Sequence, residues 1–220
     1  MRDVLDRIRT LVRARYPVLQ LVSHEEDRVE RALARLSADE DRPLYTWRAT
    51  TGLTGPDGAV ANTEPINEAL AAMGRVEGPA FFVLVDVASW WSEPAALRRL
   101  RDLAGAVGPK QQTVFVLGID AQVPNELEKE VTVIDIPLPG RDDVGKLLAA
   151  LLKAQKIEIP NDRFWQFVDG CLGLTEREIK RLLARIMMSS GGFSADDLAA
   201  LVEEKRQGIR RSRDLGFWGG

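Results

Sequence analysis

Two short stretches of the sequence carry residues whose types and spacing could bind a metal ion and a phosphate. The first is an apolar run, residues 79–85, that ends in the carboxylate of Asp86. Such a run predicts a strand buried on both faces of a parallel sheet, and a carboxylate at the carboxyl end of such a strand can hold Mg²⁺ beside a nucleotide. The second is the turn that follows residues 18–22, where a phosphate-binding loop would have to lie.

The turn at residues 22–28 lacks what phosphate binding requires. A phosphate cradle needs glycines, whose backbone N–H groups can wrap the anion, and a lysine that balances its charge; the sequence Val-Ser-His-Glu-Glu-Asp-Arg contains neither. It places Glu26 and two more carboxylates in the first helical turn, where each repels a polyphosphate by on the order of a kcal/mol. Ser23 and Glu26 have the spacing of a capping box, so we predict a well-capped helix here.

The position after Asp86 does not suit hydrolysis. A nucleotidase of this class needs an acid there to polarise the attacking water, and the residue is Val87. We therefore interpret Asp86 as a turn or cap residue and predict no catalytic residue. Trp90 and Trp91 follow at the same sheet edge. They either pack under neighbouring loops or anchor a partner, because Trp is enriched in interface hot spots.

The elements that would position these residues alternate between strand and helix, which predicts an α/β domain with a mostly parallel sheet. Predicted strands lie at 18–22, 44–48, 80–86, 113–118 and 131–136, and predicted helices at 4–15, 24–37, 66–74 and 93–107. Residues 50–63 contain three glycines and a proline and are predicted to be the most flexible loop of the chain.

Beyond residues 137–140 the pattern changes to helices only, which indicates a second, all-helical domain. The predicted helices cover 141–154, 161–170, 175–188 and 194–211, with Asp162, Thr175 and Ser194 as caps or first-turn acceptors. We therefore divide the chain into an α/β domain at 1–138, a small helical domain at 139–211 and a tail at 212–220.

Composition sets the outer limits on function. The net charge of −3 over 220 residues gives no global attraction to nucleic acid or anionic lipid. The single cysteine, Cys171, allows no internal disulfide and favours the cytoplasm. With His24 as the single histidine, a His/Cys zinc site is excluded. No apolar run reaches the ~18–20 residues of a membrane span, so we expect a cytoplasmic chain without membrane contact.

Several stretches resemble an AAA+ ATPase module, which consists of an α/β domain followed by a helical lid. One is the segment that links the last strand to the lid (VPNELEKEVTVIDIPLP, 123–139). The others are the residue pairs 142–143 and 147–148, which resemble the first lid helix, and GLTEREI at 173–179, which resembles the lid helix that carries sensor 2. The opening LVRARYP at 11–17 and the closing EEKRQGIRRS at 203–212 resemble, more narrowly, the N-terminal degenerate ATPase-like domain of two-part AAA ATPases of cyanobacteria, plastids and other bacteria.

This resemblance implies a P-loop-NTPase-like fold with a lid, and in that group an intact ATPase domain follows C-terminally. It also makes Ser23, Glu26 and Asp86 relic positions of a nucleotide site. The sensor 1 position would fall near residues 118–120, without the usual Asn or Thr, and Lys129 stands near the arginine-finger position. Arg177 or Arg181 could serve as sensor 2. We predict no cofactor; ATP and Mg²⁺ are expected only if the fold-level analogy outweighs the missing motifs.

The resulting expectation is a pseudo-ATPase domain that acts in assembly or partner recognition and does not hydrolyse ATP by itself. We expect a protein partner or an AAA+ oligomer, and an active ATPase domain that is either C-terminal or separate. The candidate contact residues are Trp90, Trp91, Arg98, Arg101 and Lys129.

Two alternatives remain open. One is a nucleic-acid-associated adaptor, similar to the non-hydrolysing subunits of clamp loaders; Arg98, Arg99, Arg101 and the basic stretch 205–213 support it, and the negative net charge weakens it. We do not expect nucleic acid as the partner. The other alternative is the N-terminal part of an active AAA+ ATPase.

Overall fold

The computed structural model describes residues 1–190, 193–194, 196–203 and 205. The chain divides into two compact units, one formed by Arg2–Ile136 and the other beginning at Pro137. The basic residues beyond Lys205 and the predicted tail at 212–220 lie outside the described residues.

The first unit alternates helices and strands around one sheet. Its helices are α1 (Arg2–Arg13), α2 (Glu26–Asp39), α3 (Ile66–Arg75) and α4 (Pro94–Val107). Its strands are β1 (Val18–Val22), β2 (Leu44–Arg48), β3 (Gly52–Gly55), β4 (Gly58–Ala59), β5 (Ala80–Val85), β6 (Gln112–Gly118) and β7 (Val131–Asp135). Two short 3₁₀ helices, Val87–Trp90 and Asn125–Leu127, follow β5 and precede β7.

The seven strands form one sheet in the order β4-β3-β2-β5-β6-β1-β7. The neighbours from β2 through β7 in this order pair in parallel, and β3 and β4 add an antiparallel edge. Strand β1 lies between β6 and β7, so the chain crosses from one side of β1 to the other after β6. In open α/β sheets ligands bind at the carboxyl ends of the strands beside such a switch point.

The central strands β5 and β6 are buried on both faces, as their apolar runs predict. Phe82 of β5 and Val116 of β6 belong to a core that also includes buried side chains of α3 and α4. Phe81 and Phe115 alternate with these residues and therefore lie on the opposite face, where their rings pack edge to face with centroids 5.4 Å apart. The predicted α/β class with a mostly parallel sheet is confirmed.

Residues 50–63 are not the loop that the sequence predicts. They form β3, β4 and their connection, and Leu53 is buried at 1 % exposure. The buried Thr63 fastens this hairpin, because its Oγ1 accepts a hydrogen bond from the Leu53 amide (2.8 Å) and donates one to the Val60 carbonyl (2.6 Å). The indole of Trp47 on β2 also donates to the Thr63 carbonyl, at 2.8 Å. The bonds of Thr63 to Leu53 and Trp47 join residues that are distant in sequence. They hold the segment as a hairpin in spite of its turn-forming glycines.

The described part of the second unit is helical, with α5 (Arg141–Gln155), α6 (Asn161–Cys171), α7 (Glu176–Ser190) and helical residues at 196–203 and 205. Thr175 caps α7 in a reciprocal box with Glu178, and Ser194 forms the same box with Asp197, so both predicted caps are confirmed. Asp162 lies in the first turn of α6. No helix among the described residues is long and apolar enough to cross a membrane.

Candidate functional site

The candidate site lies at the carboxyl edge of the sheet, where β1, β5 and β6 end together. Val22 pairs with Gly118 and Val85 with Leu117, so the residues that follow these strands emerge side by side. The Ser23 amide donates to the Gly118 carbonyl at 2.8 Å, and the Asp86 amide donates to the Leu117 carbonyl at 2.9 Å. The first amide after β1 and the first amide after β5 are therefore already hydrogen-bonded within the sheet.

The turn after β1 is short and closes on itself. Ser23 Oγ accepts a hydrogen bond from the Glu25 amide at 3.0 Å, and α2 begins at Glu26. The predicted capping box is wrong, because the Ser23 amide is already bonded to β6 and the Glu26 carboxylate pairs with Arg48 instead, at 3.1 Å. The helix therefore starts about two residues later than the predicted 24.

A buried ion pair occupies the start of α2. Glu25 precedes the helix, and its carboxylate accepts a hydrogen bond from the Arg28 guanidinium at 2.5 Å. The two side chains are only 4 % and 8 % exposed. A helix N-terminus carries a partial positive charge that can hold an anion. In this chain the residue directly before α2 is a glutamate whose carboxylate is buried in an ion pair.

Arg48, at the end of β2, ties the first turns of α2 to the sheet. It donates to both Glu26 and Glu30. Partial burial of the guanidinium acts to lower the pKa of Arg48, but the hydrogen bonds and charges of Glu30 and Glu26 outweigh it and raise that pKa above the ordinary value for arginine. The Glu26 carboxylate is thus committed to a structural ion pair.

Asp86 ends β5 in a left-handed turn. Its φ is 55°, a conformation that Asp tolerates better than most residues. Its side chain is exposed, whereas that of Val87 is buried at 2 % exposure. Within the described part of the chain, no group of three or more His, Cys, Asp or Glu side chains could hold a metal ion.

A cavity of ≈ 260 Å³ opens beside Asp86. Its floor is the end of β6, from Val116 to Gly118, and its walls include the side chains of Gln20 and Trp91. Asp120 completes the wall. Gln20 Nε2 fixes the loop after β6 by donating to the Asp120 carbonyl at 2.6 Å. Of the predicted site residues, Asp86 and Trp91 are the two that the structure brings together in this cavity.

The two tryptophans after β5 are half-buried and differ in their surroundings. Trp90 packs edge to face on the buried Trp47, with ring centroids 6.3 Å apart. Trp91 lines the cavity with part of its ring, and its indole nitrogen is buried without a hydrogen-bond partner among the described residues. Both tryptophans therefore pack against the core of the first unit, and Trp91 also lines the cavity.

The basic candidates lie elsewhere in the first unit. Arg98 and Asp102 on α4 form an exposed ion pair at 2.5 Å. Arg101 approaches Glu130, the residue after Lys129, at 4.0 Å. Lys129 itself is exposed in the turn before β7. None of these residues lines the cavity, so the structure separates the basic candidates from Asp86 and Trp91.

Three features of this edge were not predicted from the sequence: the Glu25–Arg28 pair, the role of Gln20, and the cavity that Asp120 lines. The family resemblance had placed the sensor 1 position near residues 118–120. Glu25 and Arg28 have the i, i+3 spacing of a helical pair, but their burial is not visible in that spacing. Gln20 is the one polar residue inside the apolar β1. Asp120 follows the end of β6 much as Asp86 follows β5, and this repetition was an available signal.

The comparison with protein families identifies the chain. Residues 4–136 match the N-terminal domain of the SpoVK-like AAA ATPases, and residues 142–212 match the second domain of the same group. The chain belongs to the SpoVK-like AAA ATPase family. The family resemblance predicted from the sequence is therefore confirmed.

Curated relatives of this SpoVK-like chain are AAA domain-containing proteins named ycf46. The protein of Trieres chinensis is 28 % identical over 218 residues, which is 97 % of this chain and 44 % of the relative. The protein of Pyropia yezoensis is 26 % identical, with 96 % and 44 % covered. The chain thus spans less than half the length of these relatives.

Solved structures with the same fold are AAA+ proteins. The Thermotoga maritima RuvB Holliday junction branch migration motor superimposes with a TM-score of 0.62 at 10 % identity, covering 92 % of this chain and 68 % of RuvB. The FIGL-1 AAA domain in complex with ADP gives 0.61 at 14 % identity, covering 84 % and 64 %. At these identities the likeness shows the fold alone, and it confirms the predicted P-loop-type AAA+ architecture.

Proposed function

We propose that this SpoVK-like chain is a pseudo-ATPase domain that recognises or assembles with a protein partner and does not hydrolyse ATP by itself. In this proposal the ATPase activity is supplied by an intact AAA+ domain, either C-terminal to this one or on a separate chain. The length of the ycf46 relatives, of which this chain spans 44 % in the Trieres chinensis protein, leaves room for such a domain.

The observation that carries the proposal is the buried Glu25–Arg28 pair at the start of α2. In a P-loop fold the phosphates lie against this helix end. Here the residue directly before α2 is Glu25, whose carboxylate is 4 % exposed and paired with Arg28. In this proposal that buried negative charge disfavours a phosphate at the helix end. Val87 adds to this, because a buried valine after the strand-end acid cannot activate water.

The experiment is a thermal-unfolding titration with Mg-ATP and Mg-ADP. A ligand at ~100 times its dissociation constant adds about 2.7 kcal/mol of stability, which raises the Tm of a domain of this size by roughly 5–11 °C. We expect no shift up to millimolar nucleotide. A shift of several degrees, or ATP turnover that Asp86→Ala abolishes and Asp57→Ala does not, would contradict the proposal.

The geometry of α4 weakens the nucleic-acid alternative. Two of the three arginines that supported it, Arg98 and Arg101, face the carboxylates of Asp102 and Glu130. A DNA-binding surface needs arginines available for phosphate contacts. We therefore assign the partner role to protein; DNA affinity that appears at low salt and falls steeply with added salt would reverse this choice.

A further inference from the structure

The cavity at the carboxyl edge of β5 and β6 has the character of a site for one side chain. Its volume of ≈ 260 Å³ is below the ~300–1,000 Å³ of pockets that enclose whole small-molecule ligands. A cavity of this volume suits one long side chain.

The chemistry of the walls selects the kind of side chain. The interior is apolar and includes Val116, Leu117 and the Trp91 ring. The lining also includes Asp86 and Asp120, both exposed to solvent, and neither lysine nor arginine is among the lining residues. An apolar channel with an acidic mouth complements an aliphatic stem that ends in a cation, and the face of a Trp ring attracts such a cation.

The carboxylates at the mouth are available for a partner. The Asp86 side chain has no hydrogen-bond or ion-pair partner in the part of the chain that the structure describes. Asp120 accepts one hydrogen bond, from the Gln122 amide at 2.9 Å through Oδ1. Each carboxylate has capacity for about four hydrogen bonds, so both can accept from a guanidinium or ammonium group without breaking an internal pair.

The surface around the mouth is suited to a protein. Ile119 lies between the end of β6 and Asp120, and it is 65 % exposed, although the strand that it follows is buried. An exposed aliphatic residue beside a cavity with acidic groups offers a contact for the chain that delivers the cation.

We propose that this cavity receives an arginine or lysine side chain of a protein partner, with Trp91 and the aliphatic walls around the stem and Asp86 and Asp120 around the charged head. This inference rests on the proposed function, because it names the chemistry of the partner that the pseudo-ATPase domain recognises.

The test is a titration of the ¹⁵N-labelled chain with N-acetyl-L-arginine methylamide, followed through the Trp91 indole resonance and the amides of Gly118 and Ile119. We expect saturable shifts with a dissociation constant in the millimolar range. Asp86→Asn and Asp120→Asn should each weaken binding about threefold, the loss expected for one partly exposed ion pair. Asp57→Asn, an exposed acid in the β3–β4 turn, is the matched control and should leave binding unchanged.

Two further ligands separate the alternatives. N-acetyl-L-norleucine methylamide has an aliphatic stem without the cation and should bind at least about threefold more weakly. Equal binding of the norleucine compound, or no response to the arginine compound, would overturn this inference and leave the pseudo-ATPase proposal standing. Mg-ADP that shifts the amides of Glu25 and Asp86 would instead overturn the pseudo-ATPase proposal. Failure of this inference and failure of the pseudo-ATPase proposal are therefore distinguishable, because they are detected with different ligands and at different resonances.

Discussion

The buried Glu25–Arg28 pair makes a quantitative prediction about the start of α2. Removing one partner of a buried ion pair is destabilising, at a cost of up to about 3–5 kcal/mol. With side chains only 4 % and 8 % exposed, Glu25→Gln and Arg28→Met should each lower the free energy of unfolding by this amount. Replacing both with apolar residues, in Glu25→Leu with Arg28→Met, should cost less than either single change.

The measurement is urea unfolding followed through amide resonances of β1 and β6, which report the first unit alone. The surface pair Arg98–Asp102 is the matched control: its side chains are 69 % and 57 % exposed, so Arg98→Met and Asp102→Asn should each cost less than about 1 kcal/mol. The reasoning fails if the two buried single variants cost no more than the two surface variants. It also fails if the buried pair shows no coupling in the double-mutant cycle.

Three further predictions concern packing. Burial raises the pKa of the Cys171 thiol to about 11, so Ellman's reagent at pH 8 should react about 100-fold more slowly with the native chain than with the urea-unfolded chain; equal rates would contradict this. Thr63→Val leaves the buried Leu53 amide without its acceptor and should cost about 1–3 kcal/mol in urea unfolding, whereas Thr63→Ser keeps the hydroxyl and should cost less. Gly52 has φ 66°, and an added Cβ would lie 2.7 Å from Thr63 Oγ1, so Gly52→Ala should lower the Tm, while Gly105→Ala on α4, where a Cβ meets no atom within 4 Å, should raise it or leave it unchanged.

The parts of the fold that were predictable are those in which a local pattern and the tertiary structure agree. The apolar runs of β5 and β6 are long enough to require burial on both faces, and the alternation with amphipathic helices then leaves a parallel sheet as the consistent arrangement. The caps at Thr175 and Ser194 were predictable because their partners, Glu178 and Asp197, are three residues away.

The parts that were not predictable depend on contacts between distant residues. The sequence of the β3–β4 hairpin predicts a loop because Gly52 and Gly58 are turn formers. The bonds that join Thr63 to Leu53 and to Trp47 span 10 and 16 positions, so local sequence does not show them. Likewise, Glu26 was predicted to bond Ser23. Its carboxylate instead pairs with Arg48, which is distant in sequence and close in space. A carboxylate near the start of a helix can accept hydrogen bonds from several donors. The spacing along the sequence does not show which of these donors it will bind.

The candidate site was half predictable for the same reason. Asp86 and Trp91 were identified because they follow a strand that is conspicuous in the sequence. Asp120 and Ile119 follow β6 in the same manner, but only the parallel register of β5 and β6 shows that both strand ends form one edge. The cavity forms because the register aligns the ends of the two strands. It therefore cannot be predicted from either stretch of sequence alone.

The charges at the carboxyl edge of the sheet bear on the proposed loss of nucleotide binding. The N-terminus of α2 points its positive end at this edge, and such an end gains stability from a nearby anion. In this chain the carboxylates at the start of α2 are paired with arginines, Glu25 with Arg28 and Glu26 with Arg48. The negative charge that remains exposed, on Asp86 and Asp120, lies at the neighbouring strand ends and favours a cation. The proposed loss of the nucleotide and the proposed recognition of a cationic side chain are therefore consistent with the same distribution of charge.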